Sequence, residues 1–122
     1  NLDEAQLLVG RKLHTLEDLL DAAAELHATF GCAALVKGGH LKLGCEAVDV
    51  LFDGRRFTVL KAPRVRGVST HGTGCTYSAA IAAFLAQGEK LEAAIAKAKE
   101  FITRAIARSY RAARHPVLNH QT

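Results

Sequence analysis

The chain has 122 residues, 49% of them hydrophobic and 23% charged, with a formal net charge of +4. That is the balance of one soluble globular domain, not of a fibrous or disordered segment. The longest apolar run, residues 79–86, is far too short to cross a bilayer, and no basic stretch followed by an apolar one opens the sequence, so a cytoplasmic protein without membrane contact is expected.

Asn1 caps a first helix that runs to Leu8 or Val9, with Glu4 in the capping-box position and Gly10 as its stop. Thr15 caps a second helix over residues 16–28, in which Leu16, Leu19, Leu20, Ala23 and Leu26 recur at helical spacing before Gly31. Residues 32–36 form a short continuous apolar run that ends at Lys37-Gly38-Gly39. Such a run reads as a buried strand of parallel type followed by a glycine loop. Residues 47–52 and 57–60 flank Asp53-Gly54 as an antiparallel hairpin that ends at Pro63; Asp49 and Asp53 read as hairpin residues. Helices are expected from about 74 to 86, stopped by Gly88, and from about 91 to 110. The second carries the stripe Leu91, Ala94, Ile95, Ala98, Ile102, Ala105 and Ile106. Pro116 closes the ordered part. One buried strand, one hairpin and about four helices make a thin sheet, which points to a portion of a larger α/β domain.

The basic residues Lys97, Lys99, Arg104, Arg108, Arg111 and Arg114 gather near the end. No aromatic residues interleave with them, so they read as a solvated helix face, and nucleic acid is disfavoured as a partner. The cysteines Cys32, Cys45 and Cys75 form no C-x-x-C pair, which argues against a disulfide framework or zinc knuckle. The six histidines show no zinc-ligand spacing.

The run Ser69-Thr70-His71-Gly72-Thr73-Gly74-Cys75-Thr76, leading into small residues, reads as an anion loop that opens a helix. Its glycines permit a sharp turn, and the first amides of the helix point outward with the positive end of its dipole. The amides of Gly72, Thr73, Gly74 and Cys75 are placed to surround the charge that grows on a transferring phosphoryl group. No Gly-Lys-Ser/Thr follows, and Tyr77 stands where a dinucleotide fingerprint needs its third glycine. At the helix start, Cys75 reads either as an available thiolate or as a small buried hydrophobe. Lys37 reads as a phosphate ligand or a solvated strand end, Asn1 and Glu4 as a helix cap or a magnesium site, and His71 as a phosphate donor or a structural contact.

Together, Asn1-Leu2-Asp3-Glu4-Ala5, Leu35-Val36-Lys37-Gly38-Gly39-His40, Val48-Asp49-Val50-Leu51-Phe52-Asp53-Gly54, Ala62-Pro63-Arg64, Thr70-His71-Gly72-Thr73-Gly74-Cys75-Thr76 and Pro116-Val117-Leu118-Asn119-His120 resemble the hydroxymethylpyrimidine/phosphomethylpyrimidine kinases of thiamine biosynthesis. The cysteine stands where the wider ribokinase superfamily has aspartate. The resemblance covers the later half of that family's pattern. It implies a three-layer α/β/α ribokinase-like fold, present here as the C-terminal ATP-binding and catalytic-loop part of a single domain over residues 1–122. It further implies ATP and Mg2+ as cofactors and a small pyrimidine as substrate. A homodimer is the candidate assembly.

By motif matching, Gly72, Thr73, Gly74 and Cys75 would form the anion hole, with Cys75 as the base. Lys37, Gly38, Gly39 and His71 would meet the nucleotide, and Glu4 would hold magnesium through water, with Asn1 in the same site. The family's early elements, which carry most of the pyrimidine pocket, have no counterpart here, so a catalytically incomplete segment is expected. The run 111–114 departs from the family, which tends to have glycines there. The rival readings are a nucleotide- or anion-binding module without catalysis and a related vitamin kinase of the pyridoxal type.

Overall fold

The structure, a computed structural model, describes residues 1–39, 41, 44–65, 72–112 and 115–122. Its described residues fall into two compact units, Asn1–Pro63 and Arg64–Thr122.

The first unit opens with helix α1, Leu2–Val9, inside a capping box: Asn1 Oδ1 accepts the Glu4 N–H at 3.0 Å, and the Glu4 carboxylate accepts from the Asn1 nitrogen at 2.5 Å. Gly10, at φ 70°, ends it. Helix α2, Leu16–Phe30, has a second capping box, and it outlasts its expected end by two residues before Gly31 turns left-handed at φ 69°. Thr15 Oγ1 accepts the Asp18 N–H at 3.1 Å, while Asp18 Oδ2 accepts the N–H groups of His14 at 2.8 Å and Thr15 at 2.9 Å. Those bonds, the one from His14 first, favour the ionised form and hold the Asp18 carboxyl below the usual aspartate range.

Strands β1, Ala34–Lys37, β2, Glu46–Phe52, and β3, Phe57–Pro63, form one sheet in the order β1-β2-β3. Both pairings are antiparallel. This corrects the parallel reading of β1: a continuous apolar run reports that a strand is covered on both faces, and says nothing of its partner's direction. Strand β1 also starts two residues late, because Cys32 and Ala33 are exposed and the Cys32 carbonyl is engaged by His27 Nδ1 at 2.8 Å. The expected hairpin is present. Asp53 Oδ1 accepts the N–H groups of Arg55 and Arg56, at 2.8 and 2.9 Å, across a turn in which Gly54 sits at φ 92°. The unit's core joins Leu2 and Ala5 of α1, Leu13, Leu19, Ala22 and Ala23 of and before α2, Val36 and Val50 of the sheet, and Leu41.

In the second unit, helix α3, Thr73–Ala86, packs against α4, Leu91–Ala107. The expected stripe on α4 is the buried one: Ala94, Ile95, Ala98, Ile102 and Ala105. Lys97 pairs with Glu89 and Arg104 with Glu100, whereas Lys99, read from sequence as part of the solvated face, is buried. Helix α4 stops three residues short of its expected end. The Ala105 carbonyl, which a continuing helix would present to residue 109, instead accepts the Asn119 N–H at 3.2 Å, and Ser109 tightens onto Ile106 O at 3.1 Å. Strand β4, Tyr110–Ala112, then pairs antiparallel with β5, His115–Val117, so Pro116 lies within a strand rather than closing the order. Among the described residues no helix is long and apolar enough to cross a membrane.

Two outcomes test this packing. A Cβ on Gly38 would come within 2.5 Å of Val48 O and 2.8 Å of Leu19 Cδ1, so Gly38→Ala should destabilise the first unit by about 1–3 kcal/mol; an unchanged urea midpoint would contradict this contact. The depressed Asp18 carboxyl stabilises the fold above its unfolded-state pKa and loses that contribution as pH falls below about 4. On acidification the parent's melting temperature should therefore fall more steeply than that of Asp18→Asn, and parallel curves would refute the assignment.

Candidate active site

Gly72 enters α3 in the left-handed region at φ 83° with no side-chain hydrogen bond capping the helix. A Cβ there would meet nothing within 4 Å, so the demand for glycine is one of dihedral angle and not of space. The first helical bond runs from the Thr76 N–H to Gly72 O at 2.8 Å, and no acidic side chain occupies the first turn. Thr73, Gly74 and Cys75 thus form the turn where the positive end of the helix dipole lies. Cys75 is exposed, which does not fit the reading of it as a small buried hydrophobe. The C-terminal segment reaches the same turn: Leu118 is buried, and His120 Nε2 lies 3.3 Å from Thr76 Oγ1. His71 lies outside the described residues.

In the first unit, Lys37 is the last residue of β1 and stands opposite Asp49 in the β1–β2 register. The Gly38 N–H is shared between Val48 O at 3.0 Å and Asp49 Oδ1 at 3.1 Å, and Gly38 O accepts the Leu41 N–H at 2.8 Å. Sequence reasoning makes Gly38 a point of close nucleotide approach; in the structure a Cβ there would meet Val48 O and Leu19 Cδ1, and its N–H has two partners inside the chain. Gly39 is exposed, and a Cβ there would meet nothing within 4 Å. Glu4 shares this neighbourhood. Its carboxylate accepts from the Asn1 nitrogen of the capping box and lies within the field of the Lys37 ammonium.

The structure therefore brings Asn1, Glu4 and Lys37 to one part of the first unit and adds Asp49, which sequence reasoning took for an ordinary hairpin residue. The available signal was an acidic side chain inside an otherwise apolar strand. Among the described residues no group of three or more His, Cys, Asp or Glu is arranged to hold a metal ion. What Asn1 and Glu4 offer is one hard-oxygen carboxylate, already half engaged by its capping box.

The phosphomethylpyrimidine kinase family model matches residues 1–118. The Thiamine biosynthesis bifunctional protein ThiED of Geobacter sulfurreducens is 47% identical over 87% of this chain and 21% of its own length. The hydroxymethylpyrimidine/phosphomethylpyrimidine kinase of Aquifex aeolicus is 43% identical over 89% of this chain and 42% of its own. The chain thus spans less than half the length of these relatives. The crystal structure of an ADP complex of Bacillus subtilis pyridoxal kinase superposes with a TM-score of 0.91 at 41% identity, covering 99% of this chain and 46% of that one. The architecture is accordingly the expected one, a portion of a ribokinase-like α/β fold, with a three-stranded sheet and four helices among the described residues. On the match over residues 1–118, the chain belongs to the phosphomethylpyrimidine kinase family.

Proposed function

We propose that this chain is the ATP-binding, catalytic-loop portion of a single ribokinase-like domain that phosphorylates hydroxymethylpyrimidine and then its monophosphate. The observation that carries the reading is the exposed Cys75 in the first turn of α3, directly behind left-handed Gly72, in a chain of this family.

In-line transfer requires little covalent help from the protein and much positioning and charge stabilisation. The N–H groups at Gly72, Thr73, Gly74 and Cys75 take the negative charge that develops on the transferring group. Cys75 Sγ, as thiolate, accepts the proton of the substrate's primary hydroxyl as that oxygen attacks. The Lys37 ammonium offsets phosphate charge, and Gly38, Gly39 and His71 are assigned to the nucleotide's approach. Bound ATP supplies the phosphoryl group, and Mg2+ neutralises charge on its phosphate oxygens. Magnesium is commonly held by one or two carboxylates with waters and substrate phosphates completing its shell, a demand that the single carboxylate of Glu4, acting through water and beside Asn1, fits.

Pyridoxal phosphorylation is the second reading, favoured by the 0.91 superposition on a pyridoxal kinase. Binding of nucleotide without transfer is the third. The reading also puts the enzyme in the cytoplasm, keeps a homodimer as the candidate assembly, and has small molecules as partners with neither nucleic acid nor membrane among them.

The test is calorimetric titration with ATP and magnesium beside kinase assays on hydroxymethylpyrimidine and pyridoxal, using the complete polypeptide that carries these residues. Turnover of the pyrimidine is expected; turnover of pyridoxal alone establishes the second reading, and binding without turnover the third. Replacing Cys75 by alanine should lower kcat roughly 10²–10⁴-fold while leaving ATP affinity within about twofold. Equal kcat values would remove the thiol from the mechanism.

A further inference from the structure

Asp49 is 3% exposed in a strand whose neighbours are Ala47, Val48, Val50 and Leu51. A buried carboxylate is costly unless its oxygens are hydrogen bonded and its charge is met. One oxygen has its donor in the Gly38 N–H at 3.1 Å, yet that contact needs only an acceptor, which a neutral side chain would also supply. The residue directly opposite in the antiparallel register is Lys37, and opposed residues project from the same face with Cβ atoms about 5 Å apart. Lysine's flexible four-carbon stem gives it little intrinsic orientation, so its direction must come from what faces it.

We infer that Asp49 is a positioning residue for Lys37: one carboxylate oxygen fixes the backbone just past the lysine at Gly38, and the charge of the group orients the ammonium toward an oxyanionic ligand. This rests on the reading of Lys37 as a phosphate ligand and goes beyond it by naming what prepares the lysine. It also separates two roles that a single buried carboxylate combines, one structural and satisfied by any acceptor, the other electrostatic and satisfied only by charge.

The experiment is a double-mutant cycle on the complete polypeptide, read as affinity for ATP with magnesium, with adenosine as the ligand lacking phosphates and thermal melting as the control for folding. Asp49→Asn keeps an acceptor for the Gly38 N–H and removes the charge. It should melt near the parent, bind ATP roughly tenfold more weakly and bind adenosine equally well. Lys37→Ala should weaken ATP binding by at least as much, and Asp49→Asn should add nothing in that background. Parent-like ATP affinity in Asp49→Asn, or losses that simply add in the double variant, would overturn the inference. If Asp49→Asn does not fold, Asp49→Ser takes its place, and failure of both to fold marks the residue as structural alone and overturns the inference as well. A parent that does not bind ATP, or a harmless Lys37→Ala, defeats the functional reading beneath it, an outcome distinguishable from the preceding ones.

Discussion

The left-handed backbone of Gly72, at φ 83°, is the constraint on which the candidate chemistry depends. It lets the chain turn straight into α3, so that Cys75 falls in the first helical turn, where the dipole is positive and no acidic side chain sits. The other unit shows the contrast. Helices α1 and α2 each begin with a polar side chain and an acidic residue locked in a reciprocal capping box, which stabilises the helix by occupying its first amides with the chain's own oxygens. Helix α3 has no such side-chain cap. A helix entered on glycine alone gives up that local stabilisation.

A comparable economy governs the end of β1. The Gly38 N–H satisfies Val48 O and Asp49 Oδ1 together, and the absence of a side chain at that position is what allows Leu19 of α2 to pack over it. The close packing of the core and the placement of Lys37 are therefore the same fact seen from two sides. A strand end held by a buried carboxylate is a rigid platform, and a long cationic side chain on a rigid platform loses less freedom on meeting a ligand than one on a mobile loop.

The features legible in the sequence were those that local rules decide. Asn1 with Glu4, Thr15, and the glycines at 10 and 31 marked α1 and α2, because a cap and its partners lie within four residues of each other. Asp53-Gly54 marked the hairpin turn for the same reason. What escaped depended on distant pairings. The end of α4 is decided by Asn119, 14 residues beyond the carbonyl it meets at Ala105, and the direction of β1 by a partner strand across a loop. The burial of Asp49 follows from packing that no periodicity encodes, whereas Lys99 falls on the apolar stripe of α4, four residues after Ile95 and three before Ile102, where its charge argued for the solvated face. For the site, glycine spacing was enough to single out the turn at Gly72, while the residues left Lys37 and Glu4 each with two readings and the family resemblance favoured the functional one, since a lysine at a strand end and a glutamate at a cap are ordinary in themselves. Asp49 needed the register before its position opposite Lys37 had any meaning.

The most direct measurement is of the backbone amides themselves. In the complete, isotopically labelled polypeptide, the amide resonances of Thr73, Gly74 and Cys75 should shift saturably on addition of ATP with magnesium and stay in place on addition of adenosine, because the first turn of α3 is read as the seat of the phosphate end. Saturable nucleotide binding that leaves those three resonances unmoved would contradict the account.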